Sequence, residues 1–272
     1  MTKRHLIFAD PHGNLELVDR IFAHCGFVPG VDVAVAAGDV VDIGKGSMAI
    51  LKKLEAVRGI LLLGNHEFAH IIGEHLQLAS GQSAYDSSLD WKHNLPAMLV
   101  DRVLDGSIRL AHAVDGVLVT HAGLSEHAYG EALAAGGIAP DRNLAAEQFA
   151  ALLNRLLPTF IQPPLYPLVD RFGSWTPGEY GYSLLGTGES LTPLWFRPGQ
   201  DGEPSLRYPQ VYGHTSDAGL AKQDRVWLAE HGCFSVDPWS PDNYDRPGYV
   251  KYALVEHGEI TVVTDWDGRE TA

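Results

Sequence analysis

The segment LLLGNHE, residues Leu61–Glu67, changes character abruptly along the chain. Its three leucines are typical of a buried strand, and they are followed at once by Gly64 and the polar residues Asn65, His66 and Glu67. In open α/β sheets, ligands bind beyond the carboxyl ends of the strands. A buried strand that ends on such side chains therefore predicts a site at one edge of a sheet, provided that other strands end in the same way.

Two further strands upstream also end on ligand-type residues. The apolar run His5–Ala9 precedes Asp10, and the segment VDVAVAAGD ends at Asp39. Helical periodicity follows the first strand in ELVDRIFAHCGF and the second in SMAILKKLEAV. This β-α-β-α-β order predicts parallel strands with right-handed crossovers. We therefore expect the three strand ends to meet at one edge of the sheet.

The remaining strands are predicted in three segments. SIRLAHAVDGVLVTHAGL is typical of a β-hairpin with Asp115-Gly116 as its turn, and it ends at His121. PQVYGHTSD is a strand with a polar terminus at His214, and the final segment GYVKYALVEHGEITVVTDW predicts a hairpin around His257-Gly258.

The region from about residue 125 to 193 differs in composition, because prolines and aromatic residues are mixed in it. It contains one predicted helix, LAAEQFAALLNRLL, which we expect to stop at Pro158. We interpret the region as an insertion in a single domain that spans residues 1–272.

Composition limits the class of protein. The chain has 272 residues, of which 45% are hydrophobic, and a formal charge of −14 that disfavours duplex nucleic acid as a partner. We find no stretch of about 20 apolar residues and no signal peptide, so we expect no contact with a membrane. The cysteines Cys25 and Cys233 are expected to be buried free thiols, which favours a cytoplasmic location.

The polar strand ends together form one set of candidate ligands. The set comprises Asp10 and His12, Asp39 and Asp42, Asn65 and His66, His121, and His214. Carboxylates, imidazoles and an amide oxygen suit Mn, Fe or Zn, whereas an all-oxygen set would favour Mg or Ca. Because a carboxylate can bridge two cations, this set predicts two divalent ions placed to assist an in-line phosphoryl displacement.

Five motifs carry a resemblance to a known superfamily. DPHGN, GDVVD, GNHE, VTHAGL and YGHT occur in this order at strand ends. Together they resemble the calcineurin-like metallophosphoesterases, and within them the branch of phosphoprotein phosphatases and bacterial symmetrical diadenosine tetraphosphatases. The resemblance implies an α/β fold, a four-layer α/β/β/α sandwich with two mixed central sheets, and a dinuclear metal site at one edge.

The resemblance also implies a role for each ligand-type residue. Asp10 and His12 would hold the first metal, Asp39 would bridge both, and Asn65, His121 and His214 would hold the second. A hydroxide between the metals would attack the phosphorus. His66 would protonate the leaving oxygen, and Asp42 would fix the tautomer of His66.

The chain departs from the protein-phosphatase pattern at two positions. Ile43 and Leu63 stand where that pattern has arginines that bind phosphate oxygens. Lys45 and Arg197 are the predicted replacements as substrate-binding residues. The loss of both guanidiniums weakens the case for a phosphoprotein substrate.

These observations predict a dinuclear metal-dependent phosphohydrolase. Its expected substrate is a small phosphomonoester or a nucleoside polyphosphate. One alternative is a protein serine/threonine phosphatase of the same superfamily, acting on a phosphoprotein. A second alternative is a non-catalytic module that binds a phosphorylated ligand. A nuclease is disfavoured because the acidic chain offers no basic groove.

Overall fold

A computed structural model describes residues 3–74, 76, 83–84, 89, 94–161, 184–186, 191–216, 220–238 and 249–266. Within these ranges the helices are α1 (Leu15–His24), α2 (Ser47–Val57), α3 (Asn65–Ile72), α4 (Leu95–Leu104), α5 (Glu126–Ala135), α6 (Ala146–Phe160) and α7 (Lys222–Glu230). The strands are β1 (His5–Phe8), β2 (Val33–Ala36), β3 (Ile60–Leu62), β4 (Ile108–Arg109), β5 (Ala111–Val114), β6 (Val117–Thr120), β7 (Gln210–Tyr212), β8 (Cys233–Ser235), β9 (Tyr249–Glu256) and β10 (Glu259–Trp266).

The larger sheet contains the first strands of the chain. Its order is β10-β9-β1-β2-β3-β4, in which β1 to β4 are parallel and β9 and β10 are antiparallel to their neighbours. The register pairs Phe8 with Ala36 and Ala36 with Leu61, so the segments that follow β1, β2 and β3 leave the sheet side by side. The predicted parallel β-α-β-α-β unit is confirmed.

The smaller sheet has the order β5-β6-β7-β8 and is also mixed. Both predicted hairpins are confirmed, one between β5 and β6 and one between β9 and β10. Their turn pairs, Asp115-Gly116 and His257-Gly258, have positive φ at both residues. That backbone matches the right-handed twist of the flanking strands, which is why two residues suffice for each turn.

The two sheets pack face to face. Ile7, Val35 and Leu62 of the larger sheet form one buried cluster with Val119 and Val211 of the smaller sheet. Helices cover the outer faces: α1 contacts β9 and α2 contacts β2, whereas α6 packs on β5. The predicted four-layer α/β/β/α sandwich is therefore confirmed.

The prediction that a helix stops at Pro158 is wrong. Helix α6 continues through this residue to Phe160. The proline removes the N–H that would donate to Asn154 O and so costs the helix one hydrogen bond, and the helix ends two residues later, within the same turn. The hydroxyl of Thr159 donates to Leu156 O at 2.6 Å and satisfies a carbonyl in the same turn.

The predicted insertion is described only in part. Helices α5 and α6 lie within it, whereas residues 162–183 and 187–190 lie outside the described residues. Its boundaries, and the division of the chain into one domain, stay predictions. Both cysteines are free thiols, and Cys233 is buried whereas Cys25 is partly exposed. Among the described helices, none has the length and apolar character needed to span a membrane.

Candidate metal centre

The loops that follow β1 and β2 are joined backbone to backbone. The amide of Asp10 donates to Gly38 O at 3.2 Å, and the amide of His12 donates to Asp39 O at 2.9 Å. These bonds continue the pairing of two parallel strands beyond their ends. The side chains of the first two motifs are thereby held next to each other.

A buried carboxylate joins the loop after β2 to helix α3. Glu67, in the first turn of α3, accepts hydrogen bonds from the amides of Asp39, Val40, Val41 and Gly64 at 2.8–3.1 Å. In the reverse direction, Asp39 Oδ1 accepts from the amide of His66 at 3.0 Å. The negative charge of Glu67 also lies at the N-terminus of the helix, where the helix dipole favours it.

Gly64 is required at this junction for steric reasons. A Cβ on Gly64 would overlap with the backbone nitrogen and Oδ1 of Asp39, and it would also approach Glu67 Oε2. The φ of Gly64 is −99°, so the constraint is close packing and not backbone strain. Gly64 therefore allows α3 to contact the loop that carries Asp39.

One group of ligand atoms comprises His12, Asp39 and His66. The Nε2 atoms of His12 and His66 lie 3.8 and 3.9 Å from Asp39 Oδ2. All three ligand atoms lie within 4.8 Å of one another, and all three residues are buried. This spacing is large enough for a cation to lie between them.

A second group comprises Asp39, His121 and His214, again within 4.8 Å. His121 Nε2 is 3.6 Å from Asp39 Oδ1. Asn65 Oδ1 lies beside this group, 2.8 Å from His121 Nε2 and 2.9 Å from His214 Nδ1. Asp39 is common to both groups and uses a different oxygen in each, which is the arrangement of a carboxylate that bridges two ions.

Asp10 belongs to neither group. It is buried, and its Oδ2 accepts a hydrogen bond from the backbone amide of His214 at 2.9 Å. The sequence predicted Asp10 with His12 at the first metal, whereas the structure brings His66 into that group. Asp10 thus joins the loop after β1 to the loop after β7, next to the second group.

Three histidines of the two groups, His12, His121 and His214, are held neutral. Burial is the main cause that lowers the pKa of His12 to about 4 and that of His214 to about 3, and each is lowered further by a neighbouring histidine. Burial also lowers the pKa of His121. A neutral imidazole has a lone pair free for a metal, so these three side chains are ready to act as ligands at neutral pH.

The buried carboxylates of the site, among them Asp10 and Asp39, lie close enough to affect each other's pKa. Burial and then the charges of Asp237 and Asp39 raise the pKa of Asp10 well above its ordinary value. Burial alone would raise the pKa of Asp39, but His121, His66 and His12 outweigh it and lower that pKa. Several buried carboxylates in one place repel each other, and a divalent cation would relieve that repulsion.

The donor atoms of the second group suit a metal. His121 Nε2 and His214 Nδ1 lie 2.8 and 2.9 Å from the same oxygen, Asn65 Oδ1. The other ring nitrogen of His214, Nε2, is buried without a hydrogen-bond partner. The donor set of imidazole, carboxylate and amide oxygen suits Mn, Fe or Zn.

His66 is held by a carboxylate that also contacts a second histidine. His66 Nδ1 lies 2.9 Å from Asp42 Oδ2, as predicted from the sequence for an orienting carboxylate, and His70 Nε2 lies 2.7 Å from Asp42 Oδ1. Burial alone would raise the pKa of Asp42, but these two hydrogen bonds lower it to about 2. Burial lowers the pKa of His66, yet Asp39 and Asp42 together raise it overall.

The two predicted substrate-binding residues lie in different places. Arg197 is exposed, and its positive charge is a minor cause, after burial and His121, that lowers the pKa of His214. Lys45 is exposed in the loop between β2 and α2. Among the described residues, no hydrogen bond or ion pair joins Lys45 to either group.

Sequence reasoning did not select Trp195, which lies at the same side of the site as Arg197. Its ring is perpendicular to that of His214 with centroids 5.9 Å apart, and its indole nitrogen is buried without a hydrogen-bond partner. The only available signal was its place two residues before Arg197 in the segment TPLWFRP. A residue type alone does not reveal that an indole N–H lacks a partner.

Comparisons with known proteins agree with this geometry. A family model described as calcineurin-like phosphoesterase matches residues 3–216, which include every residue of both groups. A cold-active protein-tyrosine phosphatase from a psychrophilic Shewanella species is 16% identical, with a TM-score of 0.53, and the match covers 97% of this chain and 80% of that one. A protein serine/threonine phosphatase from Saccharomyces cerevisiae is also 16% identical, with a TM-score of 0.54 and coverage of 100% and 82%. At this identity the two structures show the fold alone.

The substitution Glu67→Gln tests the junction between the β2 loop and α3. The amide nitrogen of glutamine would face backbone N–H donors and leave buried amides without an acceptor, which costs about 1–3 kcal/mol for each. We expect the free energy of unfolding, measured in urea, to fall by at least about 2 kcal/mol. Glu74→Gln, at an exposed position after α3, is the matched control. Equal stability of the two variants would contradict this role of Glu67.

Proposed function

The chain belongs to the calcineurin-like phosphoesterase family, and we propose that it is a phosphohydrolase that depends on two divalent metal ions. Its proposed substrates are small phosphomonoesters or nucleoside polyphosphates. The observation that carries the proposal is Asp39, which is common to two groups of ligand atoms at the carboxyl ends of neighbouring strands.

The proposed ligands follow the motifs and the geometry together. Asp10, His12 and Asp39 would hold one ion, and Asp39, Asn65, His121 and His214 would hold the other. Asn65 and His214 lie within the second group, and Asp10 lies against the backbone of His214. When bound, a pair of Mn, Fe or Zn ions supplies charge that stabilises phosphoryl oxygens and lowers the pKa of water.

In this proposal the chain itself moves the proton. His66 holds a proton on Nε2, which faces Asp39 and His12, and delivers it to the leaving oxygen of the substrate. Its other nitrogen is occupied by Asp42, so the imidazole keeps one orientation. General acid catalysis of this kind contributes about 10²–10⁴-fold in rate.

We propose that the substrate binds next to His214, at a substrate-binding rim formed by Trp195 and Arg197. We propose that Arg197 and the indole N–H of Trp195 bind phosphoryl oxygens, because one is a nearby cation and the other a buried donor without a partner. Lys45, exposed in the loop between β2 and α2, would be a further positive charge. These residues would replace the guanidiniums missing at Ile43 and Leu63.

The nearest alternative is a protein serine/threonine phosphatase that acts on phosphoproteins. The fold is shared with such an enzyme from yeast, but fold similarity at 16% identity does not identify a substrate. The absence of arginines at Ile43 and Leu63 favours a small substrate. A non-catalytic binding module would not need the proton donor His66 beside an orienting Asp42. A cytoplasmic location remains a prediction that rests on the two free cysteines.

Activity and metal content, measured together, test the proposal. We expect purified protein to hydrolyse p-nitrophenyl phosphate or diadenosine tetraphosphate when Mn²⁺ is added, and to lose this activity with a chelator. Asp39→Asn should lower both activity and metal content. His66→Asn should lower kcat by about 10²–10⁴-fold and leave the metal content unchanged.

Several outcomes would contradict these assignments. Inertness of the metal-loaded protein towards a broad panel of phosphate esters would exclude the enzymatic function. Efficient turnover of phosphopeptides with none of small esters would favour the protein phosphatase. Loss of one equivalent of metal in His66→Asn, with full retention in Asp10→Asn, would make His66 a ligand in place of Asp10.

The substitution Arg197→Ala tests the substrate-binding rim. A charge-assisted hydrogen bond to a phosphoryl oxygen is worth about 1.5–3 kcal/mol, so kcat/KM should fall roughly 10- to 100-fold. Arg155→Ala, at an exposed position on α6, is the matched control and should leave kcat/KM unchanged. Equal kinetics for the two variants would remove Arg197 from the site.

The substitution Trp195→Phe removes the indole N–H and keeps an aromatic ring next to His214. If the N–H binds a phosphoryl oxygen, we expect KM to rise about 3- to 10-fold, in line with a neutral hydrogen bond, while the melting temperature changes little. A KM equal to that of the unmodified protein would show that the indole only packs against His214.

A further inference from the structure

Asp42 is held between two histidines of one helix. His66 and His70 are four residues apart on α3, so their side chains lie on the same face of the helix. Each contacts a different oxygen of the same carboxylate, His66 Nδ1 at 2.9 Å from Oδ2 and His70 Nε2 at 2.7 Å from Oδ1. The family motif GNHE accounts for His66, whereas nothing in the proposed reaction accounts for His70.

All three side chains are buried, with side-chain exposures of 11% for His66, 2% for Asp42 and 0% for His70. Water therefore does not set the orientation of the carboxylate. Asp42 has a φ of +70° and the following Ile43 a φ of +60°, which is an unusual backbone conformation for both residues. A carboxylate can rotate about its last bond, and a donor on one oxygen fixes the direction of the other.

We propose that His70 is a positioning residue: its Nε2–H donates to one oxygen of Asp42 and thereby holds the other oxygen against Nδ1 of His66. Nδ1 of His66 carries the proton of that bond, and Nε2 of His66 stays directed at the site. The depressed pKa of Asp42 agrees with a carboxylate that stays ionised between two donors. This inference extends the proposed function and depends on it only for its kinetic test.

The kinetic test compares two substitutions of His70. His70→Leu removes the donor, whereas the side-chain amide of His70→Gln can place an N–H near the position of the imidazole Nε2. Loss of an outer hydrogen bond that orients a site residue costs about 10- to 100-fold. We expect this loss in kcat for His70→Leu, with KM and metal content unchanged, and partial recovery in His70→Gln.

The dependence of kcat on the leaving group distinguishes a positioning role of His70 from a general structural defect. An alkyl phosphate needs a proton on its leaving oxygen, whereas p-nitrophenolate leaves without one. The loss of kcat in His70→Leu should therefore be at least several-fold larger for an alkyl phosphate than for p-nitrophenyl phosphate. Equal losses for both substrates, or kcat unchanged for both, would overturn the proposal.

His112→Leu is the control for the loss of a half-buried imidazole outside the site. His112 lies on β5, and its ring contacts that of His5 at the start of β1, at the other end of that strand from Asp10. Its substitution should leave the dependence on the leaving group unchanged. Melting temperatures of all variants identify any that fail to fold.

A second measurement does not require activity. In protein labelled with ¹⁵N-histidine, we expect a slowly exchanging Nδ1–H signal from His66, identified by its loss in His66→Asn, and an Nε2–H signal from His70. In folded His70→Leu the His66 signal should shift or broaden, and in His70→Gln it should persist. An unchanged His66 signal in His70→Leu would overturn the proposal. If the metal-loaded protein hydrolyses nothing, the proposed function fails while this spectrum still decides the role of His70.

Discussion

The carboxylate of Glu67 determines where the rest of the site can lie. The chain leaving β2 turns three consecutive amides, those of Asp39, Val40 and Val41, into the interior, where each needs an acceptor. One carboxylate from the first turn of α3 accepts from all of them and from Gly64. The same contact brings Asp39 against the start of α3. The proposed bridging ligand Asp39 and the two residues after Gly64 are therefore placed by one buried interaction.

The site also requires an unusual backbone. Asp10, His12, Asp39, Asp42 and His214 all have positive φ, a region that residues other than glycine rarely adopt. Such conformations cost of the order of 1–3 kcal/mol each and persist only where the surroundings enforce them. Here the surroundings are the buried interface between the two sheets and the hydrogen bonds between the loops at the strand ends. The stability of the sandwich thus offsets the strain that points these side chains at each other.

The sequence predicted the strand ends well and the contacts between side chains poorly. Apolar runs that end on Asp10, Asp39 and Asn65 are local signals, and the parallel order of strands then places them at one edge. Three features could not be found in this way: the four amides bound by Glu67, the hydrogen bond of Asp10 with the backbone of His214, and the contact of His70 with Asp42. Each depends on the path of a loop through positive-φ residues, and no residue-type pattern specifies that path.

The chain differs from the protein-phosphatase pattern at Ile43 and Leu63, where that pattern has phosphate-binding arginines. Leu63 is fully buried and packs in the hydrophobic core. An arginine at this position would have to extend its guanidinium from an apolar environment to the site. In the proposed function, the buried carboxylates of this acidic protein first need cations, and the substrate then needs donors for the phosphoryl oxygens that the cations do not contact. Those donors are available next to His214, in the exposed guanidinium of Arg197 and the unpartnered N–H of Trp195. Both are the proposed counterparts of the guanidiniums missing at Ile43 and Leu63, and with so few cationic donors a small ester or a nucleotide is the proposed substrate.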